Sequence, residues 1–377
     1  MRRALFVTHY SNLYGANRSL LCLIDGLEKC NIEPYVLAPK QGPITEELSE
    51  RNVSFYTIPF KRWMAKNRWK APARLALNLS LLPFLVQKAR DWEIDFIHTN
   101  SSVTPIGALL AEVLRIPHIW HVREFGDLDF NLQHDWGRTL FRFLMSRASA
   151  AIAVSQTVHD HVLSDIHAPS FVVYNGVIAL DRLEKIRKAD IKQKETSASP
   201  YTFAIVGQLS PAKGQGQALR ALHRLKQNGK EVRLLIAGSG PERHVKSLQQ
   251  LRESLKLEEE ASFLGYVENP FEVYQQADAV LMCSSHEAMG RVTAEAMAIE
   301  RPVIGYNSAG TAEIIEDNKT GFLYNGTTDS LAECMTYLLD HPEHAQAIAK
   351  EGHKKAKNNF LNEVYVQKMC NIIEGVA

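Results

Sequence analysis

Cysteine is scarce in this chain and follows no pairing pattern. Five cysteines stand among 377 residues (Cys22, Cys30, Cys283, Cys334 and Cys370), odd in number and without a CxxC pair. That argues against a zinc site and reads as reduced, buried thiols, not a disulfide framework. Long apolar runs are missing too. None approaches the roughly 20 residues that a membrane-spanning helix needs. Met1-Arg2-Arg3-Ala4-Leu5-Phe6-Val7 has two cations but too short an apolar stretch for a secretory leader, and reads as a first buried strand. Charge of one sign is likewise absent: 43 Lys plus Arg against 42 Asp plus Glu leave a net +1, which gives no bulk electrostatic case for a nucleic-acid partner. No Ser/His/Asp or Cys/His set is evident, nor a His/Asp cluster with metal-ligand spacing.

What is present is an ordinary globular composition, 45% hydrophobic and 23% charged, on a chain long enough for two domains. Short apolar runs alternate with amphipathic stretches. In the first half the runs are Leu5 to Thr8, Pro34 to Ala38, Phe55 to Pro59, Phe96 to Thr99, Ile119 to Val122, Ala151 to Ser155 and Phe171 to Tyr174. In the second they are Phe203 to Gly207, Arg233 to Ala237, Ser262 to Leu264, Ala279 to Cys283, Pro302 to Gly305 and Phe322 to Tyr324. Fully apolar short strands alternating with helices predict an α/β protein with parallel sheets covered on both faces. The polar stretch Asp181 to Ser199 reads as a connector with some helix. We expect residues 1–178 to form one doubly wound domain and 179–357 a second, with a helix over about 358–377 packing back on the first. Such domains bind ligands at the carboxyl ends of their strands, so a site in a cleft between the two is expected.

The segment with most chemistry runs Ser284-Ser285-His286-Glu287-Ala288-Met289-Gly290-Arg291-Val292-Thr293-Ala294-Glu295-Ala296-Met297-Ala298. It follows an apolar strand and opens an Ala-rich helix. Gly290 allows a ligand close to the backbone, and the amides of Gly290, Arg291 and Val292 with the helix dipole suit a diphosphate. Glu295 is placed to accept from ribose hydroxyls and Glu287 to reach a transferred sugar. Taken alone, the two glutamates read equally well as solvated carboxylates favoured by a helix start.

Two glutamates with seven residues between them, then Ala-Met-Ala and a strand ending Pro302-Val303-Ile304-Gly305, resemble the signature of the retaining glycosyltransferases of family 4, which have the GT-B fold. Val206-Gly207-Gln208-Leu209-Ser210-Pro211-Ala212-Lys213-Gly214 resembles the phosphate loop of that family. Leu235 to Glu242, Phe263 to Val267, Gly310 to Ile315 and Thr320 to Leu323 match further family stretches in order. The resemblance implies that Lys213 neutralises the donor diphosphate. The family often has an arginine where this chain has Gln208, which removes one cation; Arg291 or the helix amides are the candidates to replace it. Val267, beside Tyr266, would border the nucleobase. In the first half, Thr8-His9-Tyr10 through Tyr14-Gly15-Ala16-Asn17-Arg18-Ser19-Leu20 resembles the family's glycine loop, with Gly15 approached by the donor and Ser19 expected to cap the helix. His121 stands where the family places a histidine near the donor sugar, and Asn175-Gly176 where it turns between domains.

The resemblance implies front-face substitution with retention, helped by the leaving diphosphate, with no enzymatic nucleophile, no cofactor and no metal. The expected donor is a UDP-sugar in preference to a GDP-sugar. The expected acceptor is a glycan or lipid-linked glycan, as in bacterial surface polysaccharide synthesis, and the expected setting is the cytoplasm or the inner membrane face. Lys61 to Lys70 interleaves cations with Trp63 and Trp69 and suits an anionic lipid surface, or equally a loop with buried tryptophans. Two rival functions remain on the sequence: a GT-B-type epimerase or hydrolase of nucleotide sugars, and a non-catalytic sugar-nucleotide-binding partner.

Overall fold

The computed structural model describes residues 1–194 and 200–376. Residues 195–199, the end of the expected connector, lie outside the described residues. Two compact units emerge: Met1–Gly176 together with the segment from Asn362 onward, and Val177–Leu361.

In the first unit the strands are β1 (Arg2–Val7), β2 (Ile32–Ala38), β3 (Ser54–Thr57), β4 (Met64–Ala65), β5 (Phe96–Thr99), β6 (His118–Val122), β7 (Gln133–His134), β8 (Ala150–Ala153) and β9 (Ser170–Val172). Seven of them form a parallel sheet in the order β3-β2-β1-β5-β6-β8-β9. Every residue of β5, β6 and β8 is buried, as strands covered on both faces must be. The remaining pair, β4 and β7, is a short antiparallel ribbon with Met64 opposite His134 and Ala65 opposite Gln133. Two residues per strand give no legible alternation, and the sequence reading passed over it.

The second unit holds β10 (Tyr201–Val206), β11 (Val232–Ala237), β12 (Ala261–Gly265), β13 (Ala279–Met282), β14 (Val303–Tyr306) and β15 (Phe322–Tyr324). They form a parallel sheet ordered β12-β11-β10-β13-β14-β15. In both sheets the first strand is central and the order reverses beside it, between β1 and β5 and between β10 and β13. Open α/β sheets take ligands at the carboxyl ends of the strands beside such a reversal.

The helix Asn362–Val376 belongs to the first unit. Tyr365, Val366, Met369, Cys370 and Ile373 form its buried stripe, at the spacing of one helical face. They share a core with Leu20, Leu23, Ile24 and Leu27. Five buried side chains of this kind contribute on the order of 10 kcal/mol before chain entropy is counted. Cys30 and Cys370 are disulfide-bonded, with Cα atoms 5.8 Å apart. This corrects the expectation of five reduced thiols: 340 residues separate the partners, and only the return of the last helix brings them together.

Candidate active site

In the second unit, the loops leaving β10 and β13 meet. The β10 loop is shaped by glycine. Gly214, at φ +72°, would place a Cβ 2.4 Å from the Cys283 carbonyl oxygen, so only glycine fits against the end of β13. Gly238, after β11, would place one 1.8 Å from the Gly207 carbonyl, and Leu209 N–H donates to Ser239 O at 2.8 Å. These contacts fix the turn that carries Lys213. The lysine Nζ pairs with Glu287 Oε1, and both side chains are half-buried.

The loop of Glu287 is held from its other side. Gly310 N–H donates to Glu287 O at 2.9 Å, and Ser308 Oγ donates to Ser285 O at 2.6 Å. Gly290, at φ +80°, starts the helix Arg291–Ala298, which no side chain caps. An uncapped start leaves first-turn amides for an anion.

Glu295 is the fifth residue of that helix and only 3% exposed, so it is not a solvated helix-start carboxylate. Its Oε2 accepts from Tyr274 Oη at 2.8 Å and its Oε1 from Arg291 Nε at 2.8 Å. Each oxygen retains a second lone pair for a hydroxyl. The Arg291 guanidinium also donates to Val177 O at 3.2 Å. It is thus occupied in orienting Glu295, and what Arg291 and Val292 offer a diphosphate is their place in the helix's first turn. Gln208 is exposed, its carbonyl accepting from Gln215 Nε2 at 3.0 Å. Val267 packs against the cluster of Ala204, Ala237, Val273 and Ala277, with Tyr266 exposed beside it.

In the first unit a buried polar cluster occupies the ends of β1, β5 and β6. His121 is fully buried. Arg123 Nη2 lies 3.3 Å from its Nδ1, and a guanidinium can only donate. Nδ1 is therefore the acceptor, and the ring proton sits on Nε2. Nε2 is buried with no partner among the described residues. Burial, then Arg123, then His98 hold the imidazole well below its usual pKa, so the ring is neutral. Arg123 is itself fixed by Asn100 Oδ1 at 2.6 Å, Tyr365 Oη at 2.9 Å and Asn175 Oδ1. Neighbouring Glu124 accepts from Ser101 Oγ, Ser102 N–H and Ser102 Oγ at 2.7–2.8 Å, and burial raises its pKa.

The glycine loop differs from expectation. Gly15 has a negative φ and open space where a Cβ would stand. It is the first residue of the helix Gly15–Ile24, whose N-cap is Tyr14 without a side-chain bond. Ser19 does not cap that helix; it is buried within it. Asn17 holds the loop instead, donating to Tyr10 O at 2.9 Å and to Asn12 O at 2.8 Å.

Sequence reasoning missed the supporting roles of Tyr274 and Asn100, which carry no motif, and of Arg123 and Asn17, which stand beside or within quoted stretches but were given no part. It also missed the triplet Asp127-Leu128-Asp129. There Asp129 accepts from Phe125 N–H at 3.0 Å and Gly126 N–H at 2.8 Å, while Asp127 faces His161. These carboxylates are committed to a turn. No group of three or more His, Cys, Asp or Glu that could hold a metal ion occurs among the described residues.

Two parallel doubly wound sheets, each with phosphate- or sugar-compatible groups at its switch point, define the GT-B class of glycosyltransferase. Residues 14–179 match the model of glycosyltransferase family 4, and residues 186–355 that of glycosyl transferases group 1. An uncharacterized glycosyltransferase of Methanocaldococcus jannaschii is 30% identical over 299 residues, 74% of each chain. The chain belongs to the family 4 glycosyltransferases. The alpha-monoglucosyldiacylglycerol synthase of Acholeplasma laidlawii is 24% identical over 99% of this chain and 96% of its own. The structure of Anabaena Alr3699/HepE with UDP and glucose superposes with a TM-score of 0.82 at 22% identity, covering all of both chains.

Proposed function

We propose that this glycosyltransferase moves a hexose from a UDP-sugar to a glycan or lipid-linked glycan, with retention at the anomeric carbon. The observation that carries the reading is the Lys213–Glu287 pair beside an uncapped helix whose second turn presents a buried, oriented Glu295. Similar folds are known with UDP and with UDP-glucose bound, and a full-length relative is named for glucosylating a diacylglycerol. These favour a UDP-hexose and an acceptor with a lipid part.

In the proposed reaction the nucleotide ribose bonds to Glu295 and the diphosphate to Lys213 and the first-turn amides of the helix Arg291–Ala298. As the bond between the anomeric carbon and the diphosphate breaks, negative charge grows on the phosphate oxygen. Lys213 and the helix stabilise it without reorganising. Diphosphate competes with Glu287 for the lysine, freeing a carboxylate for the sugar. His121 contributes its Nε2–H as a hydrogen-bond donor to a sugar hydroxyl. The acceptor hydroxyl passes its proton to the leaving phosphate oxygen, so no protein nucleophile or metal is called on. The proposed setting is the cytoplasm or the inner membrane face; among the described residues no helix is long and apolar enough to cross a membrane.

The test is turnover of UDP-glucose with extracted membrane glycolipids, followed by NMR of the new linkage. Retention of the α-anomer, with UDP release dependent on acceptor, supports the proposal. Release equally fast without acceptor would favour the hydrolase or epimerase reading. Lys213→Ala is expected to lower kcat about 10²–10³-fold.

A further inference from the structure

The first unit contains a cavity of about 320 Å³ that the donor chemistry does not use. We infer that it binds the phosphate ester of the acceptor, and that the acceptor is a lipid-linked phosphate. The inference rests on the proposed transfer to a lipid-linked acceptor and names the anionic group that anchors it.

The cavity lies by the ribbon of β4 and β7, and Ser102 on its wall donates to Glu124. It therefore borders the buried cluster at the carboxyl ends of β5 and β6. Its apolar floor is Met64, Leu132 and Phe141, all buried, and its cations are Arg68 and Arg138. Apolar walls with a few fixed polar groups are the usual make-up of a ligand pocket.

Neither cation has a carboxylate to itself among the described residues. Arg68 donates through Nε and Nη2 to the backbone carbonyl of Asp135, at 3.3 and 3.1 Å. The Asp135 carboxylate is taken by Arg74. No carboxylate among the described residues pairs with Arg68. Arg138 donates to the His161 carbonyl at 3.0 Å and stands 3.9 Å from Asp165, whose carboxylate is paired more closely with Arg142. The wall's one carboxylate, Asp127, is engaged by His161 Nε2 at 2.9 and 3.1 Å. His134, also on the wall, keeps a buried Nδ1 without a partner among the described residues. Arg68, bound to a neutral carbonyl, and Arg138, bound to another and only sharing Asp165 with Arg142, suit a phosphate, whose oxygens match their paired donors.

The surroundings favour a lipid as the bearer of that phosphate. Residues 61–70 contain five Lys or Arg and no acid. Trp69 is 72% exposed and Trp136 is 42% exposed, and each is next in the chain to a residue already placed at this ribbon. The helix Gly137–Ser146 adds exposed Leu140 and Phe143. Exposed tryptophans among cations suit the headgroup layer of an anionic membrane. Trp63 does not take part. It is buried, stacks on Trp120 at 5.9 Å and donates to Ser102 O.

The test is equilibrium binding of decyl phosphate, decanol and glucose 1-phosphate to the full chain and to an Arg68→Gln/Arg138→Gln variant, with UDP titrated into the same samples. Decyl phosphate bound at least tenfold more tightly than either control, and weakened at least tenfold in the variant while UDP binding is unchanged, is the expected result. Glucose 1-phosphate bound as well as decyl phosphate, with both lost in the variant, would keep the phosphate site and make its source a soluble ester. Decyl phosphate binding that is undetectable, or equal in the variant, would overturn the inference. Absence of UDP binding alongside intact decyl phosphate binding would instead sink the donor reading.

Discussion

His121 is held by a group that can only donate, and its environment disfavours the imidazolium. Its folded pKa lies below the unfolded value of about 6.5, so the ring is neutral throughout the physiological range, and in the proposed reaction it serves as a donor at Nε2 and not as the acceptor's base. The rate should therefore show no acid limb near pH 6.5 arising from this residue. His121→Phe should lower kcat/KM by about 10–100-fold, the value of one buried neutral hydrogen bond, and leave the shape of the pH profile unchanged. A limb near pH 6.5 in the native enzyme that disappears in the variant would show that His121 titrates during catalysis. At the same scale, Glu295 depends on Arg291, which the motif contains but for a different role, and on Tyr274, to which no motif points. The glutamate was legible in the sequence from its place in a helix opening. Tyr274 was not, because hydrogen bonding across elements leaves no local periodicity, whereas Arg291 sits four residues before Glu295 on the same helix.

At the scale of elements, the site is a set of loops made rigid by backbone contacts. Gly214 closes the β10 loop against β13, and Gly310 closes the Glu287 loop from behind, so the backbone that carries Lys213 and Glu287 is placed by glycine packing. Gly214→Ala combines a left-handed backbone with a Cβ clash against a carbonyl. We expect it to destabilise the protein by roughly 2–4 kcal/mol, and to lower kcat/KM further than stability alone accounts for, measured by chemical denaturation and by kinetics at a temperature where the variant is fully folded. Unchanged stability would mean that the β10 loop shifts freely. The short, fully apolar strands were legible from their alternation with amphipathic stretches, since length and β-branched content argue a strand buried on both faces. The ribbon of β4 and β7 was not, and with it went the cavity beside which Arg68 and Arg138 stand. Ser19 shows the opposite error: a good capping residue type in a motif context, overridden because the helix starts four residues earlier, at Gly15.

At the scale of the whole molecule, the chain leaves its first unit at Gly176 and returns to it at Asn362. The last helix completes the core of that unit and brings Tyr365 to Arg123, which orients His121. The disulfide Cys30–Cys370 secures the return. In a chain-entropy account, closing so long a loop stabilises by about 6 kcal/mol. Reduction, or Cys370→Ser, should accordingly lower the melting temperature by several degrees without abolishing UDP binding, whose proposed residues, Lys213, Glu295 and the first-turn amides of Arg291–Ala298, lie in the other unit. An identical melting temperature in the presence and absence of reductant would contradict the link.

The central claim is that the second unit is a nucleotide-diphosphate site whose ribose is read by Glu295, and calorimetric titration of UDP and of GDP into the native protein and into Glu295→Ala tests it most directly. The account predicts that UDP binds more tightly than GDP and that the variant loses at least tenfold in UDP affinity, as expected when a carboxylate paired with two hydroxyls is removed. Binding of neither nucleotide, or equal UDP binding in the variant, would contradict it.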